Sequence, residues 1–226
     1  MKKNKLKILD CTLRDGGYYN NWNFSIELIN KYLKVMSEIK VDYVEIGFRS
    51  GEKKEFRGAC AYTTDEFLDS LKIPKNIKIA VMINGAELIK NNNLKKNLSS
   101  LNNLFKKSKF SRVKLIRIAC HFSEIHKVIF IASKIKNLGY QVAINLMQIS
   151  DRTEKEIKEV CDLAKQINID TLYFADSTGS LDSNQTLRVI KDFKKNWKKN
   201  LGIHAHDNMD KAMENATVAM NNGVNW

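Results

Sequence analysis

Val142-Ala143-Ile144-Asn145-Leu146-Met147, the stretch Thr153 to Ile167, Thr171-Leu172-Tyr173-Phe174-Ala175, the stretch Ser183 to Trp197 and Leu201-Gly202-Ile203-His204-Ala205 follow one another in the second half of the chain, and their order decides the fold. The three short apolar runs are rich in β-branched and aromatic residues and too brief for typical helices, so they read as strands buried on both faces. The longer stretches carry helix-start chemistry. Thr153 has Glu156 three residues on, and Asp182 or Ser183 can offer a side-chain oxygen to an orphan amide. The same alternation extends towards the amino terminus, with strand-like runs at Leu6 to Cys11, Tyr43 to Phe48, Ile77 to Ile83 and Val113 to Cys120. Helical stretches fall at Ser25 to Ile39, Thr64 to Leu71, a broken region from Ala86 to Lys107, Ser123 to Asn137 and, after the last strand, Asp210 to Asn221.

Seven β/α units predict an α/β fold with a parallel sheet and helical crossovers, either an open doubly wound sheet or a closed (β/α)8 barrel. Gly223-Val224-Asn225-Trp226 falls where the unit spacing would start an eighth strand, so a barrel would be truncated there and the chain would be a fragment of it. With one proline, ten glycines and no Ser/Gly-rich or Pro-rich linker, residues 1–226 are expected to form a single barrel domain, incomplete at the carboxyl end.

At 226 residues and 43% hydrophobic composition the chain can bury a substantial core. Its formal charge of +13 comes from lysines spread along it, as in Lys106 to Lys109 and Lys191 to Lys199, and reads as solvated helix faces. A positive field also favours anionic substrates, but no basic cluster interleaves with aromatics, so no nucleic-acid partner is expected. Cys11, Cys60, Cys120 and Cys161 form no CxxC pair and suggest reduced thiols in a cytoplasmic protein. No run of about eighteen apolar residues is present, so no membrane span is expected.

Chemistry concentrates in two motifs. Leu9-Asp10-Cys11-Thr12-Leu13-Arg14-Asp15-Gly16-Gly17-Tyr18 sets an arginine and an aspartate side by side just past a strand's carboxyl end, where barrel enzymes assemble their sites; the alternative is a charged turn facing solvent. In Gly202-Ile203-His204-Ala205-His206-Asp207-Asn208, histidines at i and i+2 on a strand project to one face and can reach one ion. In a barrel, strand seven lies near strand one, so Asp15, His204 and His206 would converge on a metal with open coordination positions. Mn²⁺, Mg²⁺ or Zn²⁺ would suit that ligand mixture.

Thr12-Leu13-Arg14-Asp15-Gly16, Glu45 in Val44-Glu45-Ile46-Gly47-Phe48, and His204-Ala205-His206 together resemble the signature of the DRE-TIM metallolyases, the HMGL-like and pyruvate carboxyltransferase superfamily. The resemblance spans nearly the whole chain in order and leans towards the 4-hydroxy-2-oxovalerate aldolase branch. It implies a TIM barrel, a divalent metal with Mn²⁺ foremost, and a lyase that cleaves or forms a 4-hydroxy-2-oxo acid from pyruvate and an aldehyde. By that resemblance Asp15, His204 and His206 are metal ligands, Arg14 steadies the enolate and binds substrate, and Glu45 pairs with Arg14. Ile116 to His121 resembles the fourth-strand segment of the aldolase branch, which makes His121 a catalytic candidate. Arg117, four residues earlier on the same strand face, then lies deeper and needs a partner, either Glu45 or Asn145. Asp176 resembles a recurrent family position that binds substrate or supports the metal, with capping of its own loop as the alternative. Asn208 is a further substrate-binding candidate. A small 2-oxo acid is the implied ligand, and a second copy of the chain or a partner dehydrogenase the implied protein partner.

One position departs from the pattern. The aldolase branch usually has a histidine two residues after the glycine of the first motif, and the CoA-dependent branch a glutamine; here Tyr18 stands there. It is either a proton-transfer residue or part of an aromatic wall running from Gly16 to Trp22. Two other functions stay open: a Claisen-type acyltransferase using acetyl-CoA and a 2-oxo acid, and a non-catalytic barrel remnant acting as an assembly module.

Overall fold

The computed structural model describes residues 5–51, 56–89 and 94–226, and only the backbone of residues 94 and 95. Its strands are β1 Leu9–Asp10, β2 Tyr43–Phe48, β3 Lys78–Asn84, β4 Val113–Cys120, β5 Gln141–Leu146, β6 Thr171–Asp176 and β7 Asn200–Ala205. Its helices are α1 Thr12–Gly16, α2 Ile26–Glu38, α3 Asp65–Asp69, α4 Gly85–Leu88, α5 Leu94–Leu104, α6 Ile125–Asn137, α7 Glu154–Gln166, α8 Ser183–Asn196 and α9 Ala212–Asn221. The strands neighbour one another in chain order, β1 to β7, as the alternation of elements predicts. The broken region from Ala86 to Lys107 resolves into α4 and α5, with residues 90–93 outside the described residues.

The described residues fall into two compact units. The first holds Lys7–Ile118 and Ser133–Val142. Here β1 pairs in parallel with β2 (Leu9↔Tyr43, Asp10↔Val44), and β2 with β3, placing Glu45 beside Ala80. Strand β1 is shorter than the apolar run suggests, because the Asp10 carboxylate accepts from Thr12 N at 2.9 Å and folds the chain out of the strand into α1. Aspartate commonly makes such a local turn. Beyond Glu45 the β2–β3 register shifts, and Gly47 lets the turn Ala59–Ala61 approach: a Cβ there would lie 1.8 Å from the Cys60 carbonyl oxygen. Ser25 caps α2 by accepting from Leu28 N at 3.2 Å.

The second unit holds Ala119–Ala132 and Ala143–Trp226, with Lys5 and Leu6. Strands β5, β6 and β7 run in parallel register, from Ala143↔Thr171 and Thr171↔Asn200 to Asp176↔Ala205. The anticipated Thr153–Glu156 pair forms a capping box at the start of α7; of the two caps the sequence offers for α8, Asp182 is the one used, in a box with Gln185. Phe174 on β6 stacks on Phe193 of α8 with ring centroids 5.8 Å apart, fixing helix to strand. Trp226 accepts from Ile203 N at 3.0 Å and donates to Leu201 O at 3.2 Å, so the chain lies along β7 where the unit spacing puts an eighth strand. Among the described residues no helix is long and apolar enough to cross a membrane.

Candidate active site

In the first unit, α1 leaves the carboxyl end of β1 and carries Arg14 and Asp15. Arg14 is buried, and its Nε donates to Glu45 Oε1 at 2.8 Å while its Nη1 pairs with Asp15. Its Nη2 is buried and has no hydrogen-bond partner among the described residues. Burial alone would lower the pKa of this guanidinium, but the charges of Glu45 and Asp15 outweigh it, so Arg14 sits above its ordinary range and remains a cation. Glu45 is fully buried on β2 and also receives Arg117 Nη1 at 3.1 Å on each carboxylate oxygen. Of the two partners the sequence offers for Arg117, Glu45 is thus bonded.

Cys11 is the residue that sequence reasoning overlooked. Its Sγ donates to Asp15 Oδ2 at 3.1 Å, because α1 places residues 11 and 15 one turn apart on the same face. Burial, followed by the charge of Glu45, pushes the Cys11 thiol up to about 12, so it faces Asp15 as a neutral donor.

Tyr18 follows in a 3₁₀ turn, Gly17–Tyr19. Its ring meets Trp22 edge-on at 4.8 Å and Phe48 at 6.2 Å, while Trp22 meets Phe48 at 5.6 Å. The Arg14 guanidinium carbon lies 5.8 Å from the Phe48 ring centre. The three rings pack on one another, and Phe48 among them faces the arginine.

In the second unit, His204 belongs to β7 and His206 follows its last residue; their Nε2 atoms are 3.1 Å apart. Asp176 ends β6 fully buried, and its carboxylate accepts from Ser180 N and Leu181 N, each at 3.0 Å. This is the loop-capping arrangement. Asn208 Nδ2 donates to Thr178 O at 3.2 Å from an exposed position, tying the loop after β7 to the one after β6. His121 follows the last residue of β4 and is half-buried; its backbone N–H donates to Glu124 Oε2 at 2.9 Å.

Seven parallel strands with alternating helices, and polar candidates gathered at strand carboxyl ends, define the TIM-barrel class, of which seven β/α units are present. The HMGL-like family model matches residues 5–226, and the chain belongs to that family. It is 25% identical over 220 residues to the 4-hydroxy-2-oxovalerate aldolase of Geobacillus thermodenitrificans, a match covering 96% of this chain and 61% of the relative. The chain therefore spans about three fifths of the length of that curated relative. Among solved structures, the N-terminal domain of a presumptive aldolase from Bacteroides vulgatus superposes with a TM-score of 0.83 at 32% identity, over 97% of this chain and 71% of that one. The HMG-CoA lyase of Bacillus subtilis superposes with a TM-score of 0.76 at 15% identity, over 98% and 75%, and shows the same fold.

Proposed function

We propose that this chain carries the active site of a divalent-metal-dependent carbon–carbon lyase of aldolase type, which cleaves a 4-hydroxy-2-oxo acid to pyruvate and an aldehyde or runs the reverse condensation. The observation that carries this reading is the 3.1 Å separation of His204 Nε2 and His206 Nε2. Two nitrogens about 2.1 Å from one ion, at right angles around it, stand about 3 Å apart. The pair has the spacing of adjacent ligands, and imidazole suits first-row divalent ions.

Asp15, His204 and His206 would hold the ion, with Mn²⁺ the first choice and Mg²⁺ or Zn²⁺ also compatible. When bound, such an ion polarises the keto oxygen of a 2-oxo acid as a Lewis acid. Arg14, a cation with an unfilled donor at Nη2, would stabilise the negative charge that grows on the keto oxygen as the C3–C4 bond breaks. Glu45 holds Arg14 Nε and so sets the angle of the guanidinium. His121 would take the proton from the C4 hydroxyl, its imidazole serving as the general base at the carboxyl end of β4. Asn208 would meet the substrate from the loop after β7, while Asp176 shapes the loop opposite. A second copy of the chain, or a dehydrogenase consuming the aldehyde, is the partner this chemistry calls for.

The test is direct. The chain titrated with MnCl₂ in a calorimeter should bind one equivalent, and His204→Ala or His206→Ala should lose at least tenfold in affinity. Incubated with pyruvate in deuterated water, the metal-loaded protein should exchange the methyl protons. Thiol release from acetyl-CoA with 2-oxo acids, in the absence of such exchange, would instead favour the acyltransferase reading.

A further inference from the structure

We infer that Arg117 is a positioning residue for Arg14, acting through Glu45 by reaching across β3. The consequence for activity rests on the aldolase reading of Arg14; the geometry stands on its own. Strand β3 separates β2 from β4 in the sheet, so Glu45 and Arg117 sit on strands whose backbones are about 10 Å apart. A contact across an intervening strand needs a gap in that strand's side chains. The β3 residue beside Glu45 is Ala80, fully buried, whose methyl leaves that gap open.

Through it Arg117 Nη1 reaches both oxygens of Glu45 at 3.1 Å, while Arg14 Nε takes Oε1 at 2.8 Å. Glu45 and Arg117 are 0% and 1% exposed at their side chains, so no water competes with either bond. One carboxylate held only by Arg14 could swing with it as a pair. Held from the far side as well, it becomes a fixed anchor. Arg14 is then pinned at Nε by Glu45 and at Nη1 by Asp15, which leaves Nη2 as the one nitrogen whose direction is set but whose bond is unmade. A guanidinium's planar fork turns two fixed nitrogens into a fixed third.

The experiment compares wild type, Arg117→Lys and Arg117→Met in the full chain with Mn²⁺. Two readouts are taken: pyruvate methyl-proton exchange, and the ¹⁵N NMR signal of Arg14 Nε–H, assigned by its loss in Arg14→Lys. Arg117→Met should lower kcat about 10- to 100-fold, the scale expected for a misplaced catalytic group, with KM changed less than about threefold. Arg117→Lys keeps the charge without the fork and should recover part of kcat. In both variants the Arg14 Nε–H signal should broaden and exchange faster with water. A purely structural Arg117 would lower thermal stability and leave kcat and the Arg14 signal untouched, and that result overturns the inference. Should Arg117→Met fail to fold, Arg117→Lys decides by the same two readouts. An inactive wild type would count against the aldolase reading alone, since the NMR comparison would still show whether Arg117 fixes Arg14.

Discussion

The indole Nε1 of Trp22 donates to the backbone carbonyl of Arg14 at 2.9 Å, tying the loop after α1 back onto the turn that presents the arginine. Gly17 makes this approach feasible. A Cβ on Gly17 would lie 1.9 Å from Trp22 Cδ1, inside any tolerable contact. Gly17→Ala should therefore displace the indole, break its bond to Arg14 and destabilise the chain by roughly 1–3 kcal/mol, the usual cost of overpacking. Urea denaturation followed by tryptophan fluorescence measures this, and an unchanged midpoint would refute it.

How much of this was legible in the sequence depends on the range of the interaction. The strands buried on both faces write themselves as continuous apolar runs, so Val142 to Leu146 and Thr171 to Ala175 are readable without a partner in view. Helix caps are equally local. Cys11 was misread because the strand-like run Leu6 to Cys11 gave no warning that Asp10 would turn the chain: the side-chain period changes there from two to 3.6, which brings Cys11 onto the face of Asp15. The Arg117–Glu45 bond depends on register and on the smallness of Ala80, a residue in a third strand. The sequence offers Arg117 two partners, Glu45 and Asn145; that the arginine reaches the first of them is visible only in the packing of three strands.

Local legibility carries its own expectation at α7. Thr153 accepts from Glu156 N, and Glu156 in return accepts from Thr153 N at 2.8 Å, so two orphan amides are satisfied at once. Thr153→Ala removes the first bond and should cost about 1 kcal/mol. The change should appear as a lower urea midpoint with the slope preserved, because no additional surface is exposed.

The buried thiols give the protein an alkaline limit. Burial pushes Cys60 and Cys161 up to about 12 from 9.0. Above pH 9 the unfolded chain releases these protons while the folded chain retains them, so the unfolded state binds fewer protons and stability falls as pH rises. The contribution is complete below pH 9 and is lost progressively towards pH 12, at about 1.4 kcal/mol per pH unit for each thiol. Cys60→Ala has its own packing cost, constant with pH. What should change is the slope: unfolding free energies between pH 9 and 11 should fall less steeply in the variant than in the wild type. Parallel slopes would show that the Cys60 thiol already ionises in the folded protein.

Tyr18 stands where the family pattern has histidine or glutamine, and the structure bears on which of its two roles to expect. Its side chain meets Trp22 and Phe48 edge-on, yet the residue remains 63% exposed. Its hydroxyl makes no hydrogen bond among the described residues, so nothing there orients a proton in a chosen direction. A proton-transfer group has to be held within hydrogen-bond reach of its target, and a phenol is a weak base near neutral pH. The ring, by contrast, is held from two sides and extends the aromatic surface beside Arg14. Wall-building needs only the ring. Tyr18→Phe should keep pyruvate proton exchange within about threefold of wild type, whereas Tyr18→Ala should raise KM by opening the wall. Loss of about 100-fold or more in kcat for Tyr18→Phe, the scale of a missing general acid or base, would return the proton to the hydroxyl. A pH–rate profile of Tyr18→Phe separates the cases further, because removal of a wall residue leaves both limbs of the profile in place while removal of the titrating group deletes one.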